Sequence, residues 1–144
     1  MSNPLKLIAQ SEEDLAVIST LLQDTTVRIG DIAWLPTERR FAFVGNRYRW
    51  EKKRRLFRRP KGERIRTAFH FNGITAAQLH GLDLSDKETV LDLLNIEAHE
   101  TETGHSLLLN FSGGTAIRLQ TEAIDAVATD LSESWEAIAK PSHD

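Results

Sequence analysis

Cysteine is absent from the 144 residues. That excludes a disulfide scaffold, a thiolate zinc site, an iron–sulfur cluster and a cysteine nucleophile, and it fits a reducing compartment. Long apolar runs are absent too. The longest uncharged stretch, 67–82, contains two His, an Asn and a Gln, and nothing approaches the roughly 20 apolar residues of a membrane span. The opening MSNPLKLIAQSEED turns acidic at once and has no apolar core of a signal peptide. The expectation is a soluble, cytoplasmic chain with no membrane segment. Glycine-rich nucleotide signatures are missing: there is neither GxGxxG nor GxxxxGK[ST]. There is no GxSxG. Ser112 precedes two glycines, but NFSGGT lies between two alternating segments, whereas a nucleophile elbow needs a strand followed by a helix. Internal repeats and low-complexity linkers are also lacking.

What is present is an ordinary globular composition, 40% apolar and 27% charged. A chain of this length fits one domain over 1–144, built around one core. The formal net charge of −3 conceals a strong asymmetry. Residues 39–66 hold 13 of the 18 basic residues and two acids, Glu51 and Glu63, a net of +11. The rest of the chain carries a net of −14.

The pattern begins with a helix. Ser11 is a capping residue, and Glu12, Glu13 and Asp14 place negative charge at the positive end of the helix dipole. Leu15, Ile18 and Leu22, joined by Val17 and Leu21, give the apolar stripe. Asp24-Thr25-Thr26 ends the helix. The periodicity then changes to two. Val27 to Leu35 reads as a strand broken by a bulge at Gly30-Asp31. Pro36-Thr37-Glu38 is a turn. Arg40 to Trp50 is a long strand with Phe41, Phe43, Arg47 and Arg49 on one face and Ala42, Val44, Tyr48 and Trp50 on the other, Gly45 marking a kink. KKRRLFRRPKGE has no alternation and reads as an exposed loop. Ile65, Thr67, Phe69 and Phe71 resume alternation, and Asn72-Gly73 signals a hairpin returning through Ile74 to His80. Val90 to His99 is a strand with Leu94, Ile96 and Ala98 on one face. After a turn at Thr101 to Gly104, Leu107, Leu109 and Phe111 alternate up to the Ser112-Gly113-Gly114 hairpin signal, and Ile117 and Leu119 point inward on the return. Ile124, Val127, Leu131 and Trp135 fit a helical face. PSHD is a tail.

The fold class is therefore α+β: an antiparallel, β-rich domain of about seven strands, with an N-terminal and a C-terminal helix. Two plans suit this order. One is a pleckstrin-homology-like barrel closed by the C-terminal helix. The other is an open antiparallel sheet with both helices on one face. Neither gives function.

The cationic block is the foremost chemical feature. Arg47, Arg49, Lys52, Lys53, Arg54, Arg55, Arg58, Arg59 and Lys61 are the candidate anion- or partner-binding residues. They interleave with Tyr48, Trp50 and Phe57. Guanidinium forks match phosphate and carboxylate geometry, and rings can stack on bases. The plainer reading is a solvated loop whose charges pair with the acidic remainder of this molecule or of a second copy. A pI near 6.0 sits poorly with a dedicated nucleic-acid domain.

The histidines are weaker candidates. EAHETETGH holds His99 and His105 among glutamates but is neither an HExxH helix nor an H-x-H strand, and a metal needs three or four convergent ligands. The stretch reads as a polar turn. His70 and His80 read as surface or edge residues, and His143 lies in the tail. Trp34, Trp50 and Trp135 read as core or helix–sheet junction residues. No catalytic, cofactor or metal residue is assigned.

LKLIAQSEEDLAVISTLLQD, DIAWLPTERRFAFVGNRYRWE, FSGGTAIRLQTEAIDA and the closing PSHD together resemble an uncharacterised alphaproteobacterial family, domain of unknown function 2948. The resemblance spans nearly the whole chain. It implies a single-domain bacterial cytoplasmic protein and brings no activity, cofactor or catalytic residue.

Three functions remain in view. The leading one is a non-enzymatic protein-interaction domain, self-association as a homodimer included, that uses its sheet or the segment 47–66. The second is binding of nucleic acid or another polyanion through the same segment. The third is an enzyme whose site groups His70, His99 or His105 with carboxylates.

Overall fold

Alternation of large apolar residues with polar ones turns most of this chain into strands that bury one face. The structure, a computed structural model, describes residues 5–48 and 64–131. Its elements are β1 (Lys6–Ala9), α1 (Glu12–Leu21), β2 (Thr25–Leu35), β3 (Arg40–Tyr48), β4 (Arg64–Asn72), β5 (Ile74–His80), β6 (Val90–Thr101), β7 (Gly104–Phe111), β8 (Ala116–Thr121) and β9 (Ala126–Asp130). Short 3-10 turns at Pro36–Glu38 and Ser112–Gly114 join β2 to β3 and β7 to β8. No helix among the described residues is long and apolar enough to cross a membrane.

The strands form one antiparallel sheet in the order β1-β9-β4-β3-β2-β6-β7-β8-β5. Its two end strands, β1 and β5, do not pair, so the sheet is open. The barrel alternative and the count of seven strands are thereby corrected. Two strands escape the sequence pattern. β1 is four residues long with one buried side chain, Ala9, too short to show a period. β9 replaces the first part of the expected C-terminal helix: Ala126, Ala128 and Asp130 turn inward while Val127 and Thr129 are half-buried. Alanines and an aspartate hide a period of two, so the spacing of Ile124, Val127 and Leu131 imitates a helix. Backbone demand decides the outcome, because β4 has an open side that β9 fills, from Thr67↔Asp130 to Phe71↔Ala126. Trp135 and the rest of that expected helix lie outside the described residues.

The Asn72-Gly73 hairpin is also corrected. Both sides of β4 are occupied, by β3 and β9, so β5 cannot fold back onto it. Gly73 adopts φ +74, a left-handed conformation that glycine tolerates, and redirects the chain to pair with β8 instead. Asn72 N–H donates to Asp125 O at 2.9 Å, and Ile74 N–H to Arg39 O at 2.9 Å.

Gly45 does not kink β3, whose pairing with β4 runs unbroken through Gly45↔Thr67. The glycine is needed for space: a Cβ there would lie 2.7 Å from Thr25 Cγ2 and 2.9 Å from Thr26 O. The bulge falls where the sequence places it, in β2 between Val27 and Ile32. A second irregularity in β6, between Leu93 and Asn95, moves Leu94 out to solvent and keeps Leu91, Leu93 and Ile96 inward. The expected sharing of one face by Leu94 and Ile96 fails for that reason.

The core is continuous across the sheet. Phe43 stacks on Phe69 at 4.5 Å, and Phe41 and Phe71 flank the pair. Trp34 is half-buried beside Phe41. Leu107, Leu109, Ile117 and Leu119 extend the core along β7 and β8. Helix α1 covers part of it with Leu15, Ile18 and Leu22, while Val17 faces solvent and leaves the expected stripe. Ser11 caps the helix through its Oγ, which accepts from Asp14 N–H at 3.0 Å. Ser19 Oγ accepts from Ile96 N–H at 2.9 Å, fastening the helix to β6.

Candidate functional site

In the chain the basic segment lies between the end of β3 at Tyr48 and the start of β4 at Arg64. These strands pair over nine positions, from Arg40↔Asn72 to Tyr48↔Arg64. Phe41 and Phe43 opposite Phe71 and Phe69 set that register, since a one-residue slip would expose all four rings. The two ends of the segment are consequently neighbours on adjacent strands.

Arg47 and Asp130 lock this end of the sheet. Arg47 Nε and Nη2 donate to Asp130 Oδ1 and Oδ2 at 3.0 and 2.8 Å. The side chains are 7% and 4% exposed. Thr67 Oγ1 donates to Asp130 Oδ1 at 2.8 Å and Leu5 N–H to Oδ2 at 3.0 Å. The remaining Arg47 group, Nη1, donates to Tyr48 O at 3.0 Å. Burial by itself would raise the Asp130 pKa. The hydrogen bonds from Arg47, Thr67 and Leu5, with the charge of Arg47, outweigh burial and hold the carboxyl below its usual range. Every polar atom of the carboxylate thus has a donor, the condition under which a buried ion pair is tolerated.

Arg64 completes the base. Its guanidinium lies 3.8 Å from the centroid of the Tyr48 ring, a cation–π contact. Nη1 donates to Asn46 O at 2.8 Å and to Asp24 O at 3.2 Å. Arg66 O accepts from Leu131 N–H at 2.8 Å, and Arg66 Nε is buried without an acceptor among the described residues.

Arg47 is thus a structural cation, buried and neutralised, and does not face outward as a candidate contact would. Arg49, Lys52, Lys53, Arg54, Arg55, Arg58, Arg59 and Lys61 lie outside the described residues. Asp130 and Thr67 gave no signal in the sequence: a buried aspartate in a short strand looks like any surface acid, and its partner is 83 residues away. Arg64 and Tyr48 were visible as members of the basic, aromatic stretch, although their stacking required the β3–β4 register.

Among the described residues the histidines do not converge. His99 pairs with Ser106 and His105 with Glu100 on β6 and β7, adjacent rungs whose side chains take opposite faces. His99 Nε2 lies 3.1 Å from Glu97 Oε1 on the exposed face. His105 Nδ1 lies 3.2 Å from Glu12 Oε2, beside α1. His70 is exposed on β4. No group of three or more His, Asp or Glu residues suited to a metal occurs among the described residues. Ser112 has a turn role: its Oγ accepts from Asp92 N–H at 3.1 Å.

A family model described as "Protein of unknown function (DUF2948)" matches residues 5–143, and the chain belongs to that family. No curated protein and no solved structure matches the chain.

Proposed function

We propose that this member of the family is a non-enzymatic protein-interaction domain whose basic segment, 49–63, engages an acidic patch on a partner protein. The observation that carries the reading is the way both ends of the segment are held. Tyr48 and Arg64 sit opposite each other, Arg64 covers the Tyr48 ring, and the Arg47–Asp130 pair stiffens the strand ends beneath. The fifteen residues between them include eight basic and two acidic ones. A cationic segment fixed at both ends steers anionic partners toward one place on the molecule. Trp50, Phe57 and the arginines are residue types that anchor protein interfaces.

The rest of the chain favours a compact acidic protein patch over a long polyanion. Outside 39–66 the net charge is −14. At physiological ionic strength the attraction of the segment is screened beyond about 8 Å, so a strand extending past that range gains little from it.

The test is fluorescence anisotropy with a labelled acidic peptide and, separately, an RNA oligonucleotide of equal charge, each over a salt series. Saturable peptide binding that weakens with salt and disappears in the Arg54→Glu, Arg55→Glu, Arg58→Glu, Arg59→Glu variant supports the reading. Tighter binding of RNA with a steep salt slope transfers it to nucleic acid. Binding of neither ligand, or binding unaffected by the charge reversal, rejects the segment as a contact element.

A further inference from the structure

The outer face of the sheet near its β5 edge holds a cleft of about 510 Å³ lined by Gln78, Leu79, His80, Leu108, Ala116 and Arg118. The register explains why these groups meet. Gln78 pairs with Arg118 and His80 with Ala116 between β5 and β8, and Leu108 pairs with Arg118 between β7 and β8. Paired residues share a face, so the guanidinium, the amide and the imidazole stand beside an apolar floor of Leu108 and Ala116.

Arg118 is poised rather than satisfied. Its Nη1 donates to Ser106 Oγ at 2.9 Å, a neutral acceptor that orients the group without cancelling its charge. Among the described residues no carboxylate pairs with it. The nearest outer-face acid in the register is Glu97, opposite Leu108 on β6. Two strand spacings, about 10 Å, separate its row position from Arg118. Glu97 already accepts from Asn110 at 3.2 Å and contacts His99 at 3.1 Å. A planar guanidinium without a counter-ion, beside two further polar groups and an apolar wall, is the arrangement that recognises a carboxylate on an apolar body.

We infer that this cleft binds a small organic monocarboxylate, with its carboxylate on Arg118 and its apolar part over Leu108 and Ala116. Gln78 and His80 supply hydrogen bonds at the rim. Glu97 sets the selectivity, because a second negative charge reaching toward β6 would be repelled. The cleft is open, so the ligand keeps one side in water and the affinity is modest, with Kd of about 0.1–1 mM. The inference does not depend on the role of the basic segment.

The test is titration of the isotope-labelled full-length chain with phenylacetate, phenylacetamide and inorganic phosphate, followed by amide chemical shifts. Phenylacetate should give saturable shifts centred on Gln78, Leu108, Ala116 and Arg118. Phenylacetamide, which lacks the charge, and phosphate, which lacks the apolar body, should each bind at least about tenfold more weakly. Arg118→Gln should weaken phenylacetate by about tenfold or more. Gln78→Glu, which places a carboxylate beside the guanidinium at its paired position, should do the same without removing Arg118. No saturation by about 20 mM phenylacetate would overturn the inference. So would equal binding of the amide or of phosphate, or binding that neither substitution alters.

Discussion

Arg47 and Asp130 meet through two parallel hydrogen bonds of 3.0 and 2.8 Å, although 83 residues separate them in the chain. The pair joins β3 to β9. Through Leu5 N–H on the same carboxylate, it also fixes the residue that precedes β1. The ion pair thus spans β4, and because Thr67 on β4 also donates to Asp130, the two strands that flank the basic segment are tied to the same carboxylate.

Removing one partner should be far worse than removing both. Asp130→Ala leaves a buried guanidinium without its counter-ion and should cost about 3–5 kcal/mol of stability. Arg47→Met with Asp130→Leu removes both charges and should cost clearly less than either single change, because no unpaired ion remains. Urea unfolding of the three variants and the parent checks this. Equal losses in single and double variants would mean that packing, and not charge, sets the value of the pair.

The same carboxylate sets an acid limit. Its folded-state pKa lies below its unfolded value. Its contribution is therefore present above the unfolded pKa of about 3.9, and it is lost as pH falls through the folded pKa. Stability should decline below about pH 4 in the parent. An Asp130→Asn chain should be less stable at neutral pH and show a shallower decline in that acid window. Unfolding curves at successive pH values measure both slopes.

Gly45→Ala should destabilise the domain by about 1–3 kcal/mol through overpacking. A methyl group there meets Thr25 and the backbone of Thr26 at under 3.0 Å. Thermal denaturation reads the effect. Replacing Thr25 by Ser, which deletes the nearer methyl, should recover part of the loss.

Ser11→Ala should cost about 1 kcal/mol by removing the cap on Asp14 N–H. Ser19→Ala should cost a similar amount, about 1–3 kcal/mol, because it leaves the half-buried Ile96 N–H without its acceptor. The two losses differ in place. Hydrogen exchange should rise at the start of α1 in the first variant and around Ile96 in the second.

Much of the architecture is legible from local pattern. The cap at Ser11, the bulge after Val27, the Thr101–Gly104 turn and the inward set Leu107, Leu109, Ile117 and Leu119 all follow from propensity and from a period of two. The basic segment is visible as a charge count. Where pattern misleads, a non-local bond decides. Gly73 permits a hairpin, but β4 is already paired on both sides. Leu94 alternates with its neighbours until a bulge turns it outward.

By itself the sequence determined the α+β class, the helix at the start, most strand positions and the concentration of positive charge. Those properties depend on side-chain period and on residue identity within a few positions. Tertiary structure alone decided that the sheet is open, that Ala126–Asp130 is a strand, that Arg47 is buried against Asp130 and that Arg118 stands beside Gln78 and His80. Each of these is a pairing between distant segments. Such pairings are selected by which backbone edges remain unsatisfied and which charges must be neutralised once the apolar faces have closed.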